Sequence, residues 1–311
     1  MSGQPFSVLT PDVVLDATER LGVRADGRLL ELNSFENRVF RVGVEDGPPL
    51  IAKFYRPGRF SDAAIGEEHQ FLRELAEAEL PVAAALGEPS LQTVAVGGEC
   101  FSVALFRCLP GRAADLESED NLAWLGRLIA RVHLQGARRR FEHRATLSPL
   151  IAERSLAAIL AGPLLPDYLV ARARSNGTAL AARIAAQWQA MGSMPSLRLH
   201  GDLHRGNLLW NEGPLLVDFD DAVNGPAVQD LWMLLPEENP AALDALLEGY
   251  ESFRPFDRSE LALIPTLRAL RRLHFAGWLS QRYTDPAFPR AFPYAGSAKY
   301  WEEEVNEWSE L

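Results

Sequence analysis

Apolar and polar residues alternate at a spacing of two in several stretches of the first hundred residues, which is typical of β-strands. The alternation is clear over 38–44, and a turn rich in glycine and proline separates it from the apolar run 50–55. These two stretches predict a β-hairpin. A second hairpin is expected over 94–106, and a short strand over 29–32. The first third of the chain is therefore predicted to form mainly β-structure.

Helical spacing of apolar positions dominates the rest of the chain. Thr10 followed by Pro11 is typical of a helix start, and Ser61 is expected to cap a second helix. Beyond Gly111, apolar residues recur every three or four positions. Further helices are predicted around 122–132, 156–160, 180–188 and 261–279.

The change from strand to helix patterning lies near 106–111. A strand-rich segment followed by a helix-rich one is typical of the α+β class. We predict a two-lobed fold, with an antiparallel-sheet N-terminal lobe over 1–107 and a larger helical C-terminal lobe over 108–311. A length of 311 residues is sufficient for two substantial hydrophobic cores.

Composition narrows the classes of protein that fit. The net charge of −11 disfavours a nucleic-acid partner, because such proteins need a basic face. The two cysteines, Cys100 and Cys108, are expected to be reduced thiols rather than a disulfide framework. Residues 1–5 show no start of a signal peptide, and no run approaches the ~18 apolar residues of a membrane span. We therefore expect a cytoplasmic monomer without membrane insertion.

The most informative motif runs from His200 to Asn207 and reads H-G-D-x-x-x-x-N, and Asp218 follows the apolar run 215–217. Phosphoryl transfer needs a carboxylate near the attacking hydroxyl and oxygen ligands for Mg²⁺. We predict that Asp202 is the catalytic base and that Asn207 and Asp218 bind Mg²⁺. Asp218 would be the main ligand of the Mg²⁺ that bridges the β- and γ-phosphates of ATP, which makes it catalytic as well as metal-binding. The alternative for this motif is a turn-forming loop without chemistry.

Two histidines flank the predicted base. The order His200, Asp202, His204 would also suit zinc, but zinc sites need further His or Cys ligands, and the other histidines are scattered. We expect His200 to be a buried residue that hydrogen-bonds the loop, and His204 and Arg205 to face phosphate or substrate. Asp230 is expected either to brace this loop or to be a helix N-terminal acid.

Lys53 lies in the middle of the predicted strand 50–55, where an unpaired lysine is unfavourable. Glu68, on the apolar side of the following helix, is its expected partner, and Glu67 is the alternative. Such a pair would hold the lysine against the α- and β-phosphates of ATP. A solvent-facing lysine on an edge strand is the other interpretation.

The segment 33–37 joins the first two predicted strands and contains no glycine. Ser34 and the backbone N–H groups of this loop could still bind phosphate oxygens. Arg56 and Arg59 follow the lysine strand and are expected in a solvated surface loop, with contact to an acidic substrate as the alternative. The adenine of ATP is expected against the connector 106–109.

Taken together, Lys53, Glu68, H-G-D-x-x-x-x-N and V-D-F-D resemble the aminoglycoside phosphotransferase and choline kinase superfamily, which has the protein-kinase-like fold. From about 11 to 301 the chain is similar to one branch, the bacterial stress response kinase A family. The segments that carry this likeness are N-S-F-E-N-R-V-F, A-K-F-Y-R-P, E-E-H-Q-F, L-R-L-H-G-D-L-H-R-G-N-L-L-W, N-G-P-A-V-Q-D-L-W-M-L-L and D-P-A-F-P.

The resemblance implies a cytoplasmic Ser/Thr protein kinase that acts in envelope-stress and cell-death protection. It implies that Asp202 is the proton acceptor and that Asn207 and Asp218 bind Mg²⁺. It also implies that Ser34 contacts ATP.

The chain departs from the eukaryotic protein-kinase pattern: it has no G-x-G-x-x-G, D-F-D replaces D-F-G, and no A-P-E follows. About a dozen residues separate Asp218 from Asp230, so control by activation-loop phosphorylation is not expected. The motifs fit a kinase for a small hydroxyl metabolite (an amino alcohol, sugar or aminoglycoside) as well as a protein kinase. A non-catalytic nucleotide-dependent scaffold is the third hypothesis. The segment 137–194 carries no recognisable motif.

Overall fold

A computed structural model describes residues 6–235 and 239–311. The strands are β1 (Ala25–Glu31), β2 (Arg38–Val44), β3 (Leu50–Phe54), β4 (Ala85–Leu86), β5 (Gln92–Val96), β6 (Glu99–Arg107), β7 (Arg112–Ala113), β8 (Leu197–Leu199), β9 (Leu208–Trp210), β10 (Pro214–Leu216) and β11 (Val223–Gly225). The helices are α1 (Pro11–Arg20), α2 (Asp62–Glu77), α3 (Glu119–Gly136), α4 (Leu150–Ala161), α5 (Val170–Ala190), α6 (Pro240–Glu251), α7 (Ile264–Arg282), α8 (Ala287–Ala291) and α9 (Ala298–Glu310). Residues 1–5, on which the absence of a signal peptide was predicted, lie outside the described residues.

An antiparallel sheet forms the N-terminal part, in the order β1-β2-β3-β6-β4, with β5 paired to β6. The β2–β3 and β5–β6 pairings confirm both predicted hairpins. Ala52 and Phe54 belong to the apolar core on one face of the sheet. Lys53 lies between them in the strand, with Val39 and Ala104 as its cross-strand neighbours. Because successive side chains of a strand point to opposite faces, the Lys53 side chain projects from the other face of the sheet. The central strand thus presents a lysine away from the apolar core.

Helix α2 begins where the sequence predicted. The Ser61 Oγ accepts a hydrogen bond from the Ala64 backbone N–H at 3.2 Å, which satisfies one of the free donors of the first turn. The buried positions of this helix recur at helical spacing and include Ile65, Phe71 and Leu75. Glu68 lies on the same face, so the amphipathic pattern itself carries a carboxylate into the interior.

Two short pairs of antiparallel strands flank the loops that carry the H-G-D and D-F-D motifs. β8 pairs with β11, and β9 pairs with β10, all antiparallel. The loop 200–207 therefore runs between β8 and β9, and the loop 217–222 runs between β10 and β11. Because each loop begins or ends in a shared pairing, the two loops lie side by side.

The chain forms two compact units. The first holds residues up to 145 together with 196–256, and the second holds 146–195 and 257–311. In the second unit, α4, α5, α7 and α9 surround a core that contains Leu180, Leu273 and Trp301. The antiparallel sheet followed by helices confirms the α+β class. The boundary predicted at 107/108 lies inside the first unit and stays a prediction. Within the described residues, no helix combines the length and apolar character needed to cross a bilayer.

Candidate active site

A cavity of about 370 Å³ in the first unit brings together residues that are far apart in the sequence. Its walls come from the sheet, from α2, from the connector 106–109 and from the loops 200–207 and 217–222. Five of the six predicted site residues line it: Ser34, Lys53, Glu68, Asn207 and Asp218. The connector 106–109 is part of the lining, and its contact with adenine stays a prediction.

Lys53 lies at the centre of the charged groups. Its Nζ is 3.5 Å from Glu68 Oε1 and 3.6 Å from Asp218 Oδ1, and it donates a hydrogen bond to Asp220 Oδ1. Burial by itself would lower the pKa of Lys53, but the surrounding carboxylates, Asp220 first, outweigh it and raise the pKa well above its usual value. The lysine is therefore a fixed positive charge at the cavity wall.

Glu68, rather than Glu67, contacts the lysine. Glu68 is buried, and burial raises its pKa although Lys53 and Arg144 both oppose that shift. Glu67 points to the segment after α3, where it accepts hydrogen bonds from the backbone N–H groups of residues 142, 143 and 144 at 2.6, 2.9 and 3.0 Å. Between the two candidates, the geometry therefore selects Glu68 as the partner of Lys53.

Asp218 has a backbone conformation that is unusual for a residue other than glycine. Its φ is 62°, in the left-handed region, where the backbone of residues other than glycine is strained. Its side chain is 52% exposed and lines the cavity. The pKa of Asp218 is raised because the surrounding protein limits its solvation and because the Asp220 carboxylate repels its charge. A strained carboxylate with a raised pKa at a cavity wall is typical of a functional residue.

Asp220 was not predicted as a site residue, although it accepts hydrogen bonds from both Lys53 and Asn37. Arg59 Nη1 lies 3.6 Å from its second oxygen. Burial would raise the pKa of Asp220, but Lys53 and Arg59 outweigh it, so the pKa lies below the usual value. The sequence signal was present in D-F-D, whose second acid was interpreted only as a departure from D-F-G.

The expectation that Arg56 and Arg59 lie in a solvated surface loop was wrong. Their side chains are 7% and 16% exposed. Arg56 Nε lies 3.1 Å from Glu36 Oε1, and Arg59 Nη2 donates to Asp221 Oδ1 at 2.6 Å. The segment between β3 and α2 folds back over these carboxylates, so both arginines neutralise acids around the site.

The loop 200–207 holds the two predicted residues Asp202 and Asn207. Asn207 Nδ2 donates to the Asp202 carbonyl oxygen at 2.9 Å, which identifies the opposite end of the amide as the oxygen that a cation would take. The Val217 N–H donates to the Asn207 carbonyl oxygen at 3.1 Å and joins this loop to the next one. Asp202 does not line the cavity; its Oδ2 lies 3.4 Å from His204 Nε2, and its side chain is 26% exposed.

Asp230 braces this loop, as one of the two interpretations predicted. Its carboxylate accepts hydrogen bonds from the backbone N–H groups of His200 and Gly201, each at 2.8 Å. His200 is buried and its Nε2 donates to the Val217 carbonyl oxygen at 2.9 Å, which supports a scaffold role. Gly201 has a φ of +87°, and a Cβ there would collide with the carbonyl oxygen of Asp221, so only glycine fits.

Ser34 lines the cavity, and its hydroxyl donates to the carbonyl oxygen of Asn37 at 3.3 Å. Asn37 in turn accepts from the Arg56 backbone N–H at 2.9 Å through its side-chain oxygen. The glycine-free loop 33–37 is therefore held by its own polar side chains. The contact of Ser34 with ATP stays a prediction.

The family model described as the phosphotransferase enzyme family matches residues 28–264, a range that includes every residue of the candidate site described above. The chain belongs to this family. Stress response kinase A of Escherichia coli (strain K12) is 41% identical over 302 residues, which cover 95% of this chain and 90% of that protein. The serine/threonine protein kinase RdoA of Salmonella typhimurium (strain LT2) is 38% identical over 312 residues, covering 97% and 92%. The predicted resemblance to the stress response kinase A family is thus confirmed, and the chain is a phosphotransferase.

Solved structures confirm the predicted fold. The amicoumacin kinase hAmiN, in complex with AMP-PNP and Ca²⁺, superposes with a TM-score of 0.80 at 19% identity, covering 100% of this chain and 96% of that one. A microcompartment-associated aminopropanol kinase gives a TM-score of 0.68 at 20% identity, covering 96% and 99%. At these identities the likeness shows the protein-kinase-like phosphotransferase fold.

Proposed function

We propose that this phosphotransferase moves the γ-phosphoryl group of ATP, with Mg²⁺, to a serine or threonine hydroxyl of a protein in the bacterial stress response. The observation that carries the proposal is the position of Lys53, which contacts Glu68 and Asp218 at the wall of one cavity. A relative with 38% identity that is named a serine/threonine protein kinase supports the protein acceptor. A relative named stress response kinase A supports the physiological context.

Residues on three sides of the cavity would bind the nucleotide. The Lys53 ammonium, held by its carboxylate partners, would contact the α- and β-phosphates. Ser34 and the backbone of the loop 33–37 would contact phosphate oxygens. The connector 106–109 would contact adenine through its backbone groups.

The donor set suits Mg²⁺. Asp218 presents a half-exposed carboxylate and Asn207 an amide oxygen, and hard oxygen ligands in small number are what this ion prefers in nucleotide sites. When bound, Mg²⁺ would neutralise charge on the β- and γ-phosphates.

In the transfer step, the oxygen of the acceptor hydroxyl forms a bond to the γ-phosphorus, and the bond from that phosphorus to the β–γ bridging oxygen breaks. ADP leaves with the electron pair of the broken bond. Asp202 accepts the proton of the attacking hydroxyl. Rate acceleration would come mainly from positioning the reactants and from fixed charges that stabilise the transition state, because phosphoryl transfer requires little covalent chemistry from the protein.

Label transfer from γ-labelled ATP tests the proposal. The purified chain is incubated with Mg²⁺ and candidate acceptor proteins, and label is expected in protein serine or threonine. Asp202→Asn is expected to lower the transfer rate by roughly 10²- to 10⁴-fold, the range for loss of a general base, while ATP still binds. Asp244→Asn, at an exposed position of α6, is the matched control and should keep the wild-type rate. Wild-type turnover in the Asp202→Asn protein would contradict the assigned role.

A small-molecule hydroxyl kinase is the second candidate. It is favoured by the solved structures with this fold, two of which are an amicoumacin kinase and an aminopropanol kinase. In this case label would enter an added amino alcohol, sugar or aminoglycoside and not protein. The same assay, run with both kinds of acceptor, separates the two candidates.

A further inference from the structure

The segment 141–145, which follows α3, is bound on one side to the strand that ends the D-F-D loop. Asn224 in β11 accepts a hydrogen bond from the Phe141 backbone N–H at 2.9 Å and donates one to the Phe141 carbonyl oxygen at 3.1 Å. The Asn224 N–H also donates to the carbonyl oxygen of Ala145 at 3.0 Å. The segment therefore moves with β11.

On its other side the same segment is bound to α2. Glu67 accepts three successive backbone N–H groups of the segment, including that of Arg144 at 3.0 Å. Glu67 is the neighbour in sequence of Glu68, which contacts Lys53. The segment thus lies between α2, which carries Glu68, and β11, the strand that follows the loop 217–222.

The Arg144 side chain spans this junction and is 1% exposed. Towards α2, its Nη1 donates to the Ala64 carbonyl oxygen at 3.0 Å and lies 3.4 Å from Glu68 Oε2. Towards the loop, its Nε donates to the Ala222 carbonyl oxygen at 2.6 Å, and its Nη2 donates to that of Asp220. All four acceptors belong to the two elements that carry Glu68 and Asp218.

We propose that Arg144 is a positioning residue for phosphoryl transfer, which holds α2 and the loop 217–222 in the relative arrangement that Lys53 and Asp218 require. The inference rests on the proposed function. Arg144 would act through Glu68 and through the backbone around Asp220, without a contact of its own with ATP. A lysine would keep the charge, but its single nitrogen cannot serve acceptors on both sides, whereas the planar guanidinium can.

The chain offers a matched control in Arg198. This arginine is 1% exposed, and its Cζ lies 5.6 Å from the centroid of the Phe141 ring, as that of Arg144 does at 5.9 Å. Its Nη2 donates to Glu74 Oε2 at 2.7 Å and to the Gln135 carbonyl oxygen at 3.0 Å. Arg198→Lys therefore disturbs a buried arginine of the same unit whose partners lie outside the cavity wall.

Arg144→Lys and Arg198→Lys are compared by calorimetric binding of MgATP and by label transfer. Arg144→Lys is expected to weaken MgATP binding and lower kcat, together by about 10- to 100-fold, the usual effect of losing a residue that orients metal ligands. Arg198→Lys should keep both values near wild type, even if its melting temperature falls. Hydrogen exchange of the free proteins gives a readout without ligand: Arg144→Lys should speed exchange in 62–69 and 218–222.

The pH profile separates charge from geometry. Glu68 must be ionised to hold Lys53, and Arg144 is one of the charges that oppose the raised pKa of Glu68. Arg144→Gln should therefore move the acidic limb of kcat/KM to higher pH, while Arg144→Lys leaves the limb near its wild-type position. The other charged or titratable groups that face Glu68 are Lys53, Tyr55, Asp218 and Asp220.

Wild-type MgATP binding, kcat and exchange in Arg144→Lys would overturn the inference, as would equal losses in Arg198→Lys. If Arg144→Lys does not fold, Phe60→Leu removes the ring that lies 4.7 Å from the guanidinium and should cause a smaller loss of the same kind. No change in that variant would also overturn the inference.

A wild type that binds MgATP but transfers no label would contradict the proposed function alone, since binding and exchange still decide the role of Arg144. A wild type that binds no MgATP would contradict both.

Discussion

The two compact units differ in how their buried charged groups are arranged. The first buries many charged groups, among them Lys53, Glu68, Arg144, Asp220 and Asp230, whereas the central cluster of the second is apolar, with Leu180, Ile184, Leu273, Trp301 and Trp308. Buried charges cost desolvation free energy and are weak sources of stability. Their concentration around one cavity is typical of a functional site. We therefore expect substitutions in the first unit to change activity most, and those in the second to change stability most.

The largest effect is expected from Asp218→Asn. Activity should fall by roughly 10³-fold, because the carboxylate that would hold the metal ion at the phosphates is lost. The free energy of unfolding should stay equal or rise, since the raised pKa of Asp218 means that the folded protein disfavours the ionised carboxylate. Label transfer and thermal unfolding measure the two quantities. A variant that loses stability along with activity would break the contrast between the units.

Trp301→Ala tests the second unit. Trp301 is fully buried, and its Nε1 donates to the Ala295 carbonyl oxygen at 2.9 Å. Its loss should lower the free energy of unfolding by about 3–5 kcal/mol, the usual cost of emptying a large core site. Denaturant unfolding measures this loss, and Trp124→Ala, at a position 45% exposed, is the control with a smaller loss. MgATP affinity per folded molecule should not change, and a weakened affinity with full stability would contradict the comparison.

The smallest effect is a pH dependence of stability from His69. This buried histidine contacts the Tyr55 hydroxyl and the Ser90 Oγ, each at 2.9 Å, and burial, aided by Lys53, lowers its pKa from 6.5 to about 3. Between these values the unfolded chain takes up a proton and the folded chain does not. Stability should therefore fall as the pH falls below 6.5, by about 1.4 kcal/mol per pH unit.

Denaturant unfolding of wild type and His69→Gln from neutral pH to about pH 5, above the range in which ordinary carboxylates titrate, isolates this contribution. The slope should be shallower in the variant. Equal slopes in the two proteins would show that His69 is not responsible for this pH dependence.

Local patterns were sufficient to predict most of the elements and to select five residues that line one cavity. A lysine in mid-strand and an acid on the apolar face of α2 are each anomalous alone, and pairing them predicted the contact of Lys53 with Glu68. Two adjacent acids on a helix point about 100° apart, so the sequence left Glu67 open, and only tertiary packing shows its bonds to the segment 141–145.

Local sequence patterns could not identify residues such as Arg144, whose hydrogen-bond partners are mainly backbone atoms. The nearest acceptors of Arg144 include the carbonyl groups of Ala64, Asp220 and Ala222, which any residue type supplies. Arg59 was misjudged for a related reason, because the fold of a short loop decides whether an arginine meets water or a buried acid. Such interactions depend on how distant segments approach each other, and local periodicity carries no information about that.

The glycine at 201 limits how this enzyme can be redesigned. Because any larger residue would strike the Asp221 carbonyl group, the loops 200–207 and 217–222 are packed against each other through bare backbone at this point. Directed evolution of a new acceptor preference should therefore find few tolerated changes there, and libraries are better aimed at segments that do not share this clearance.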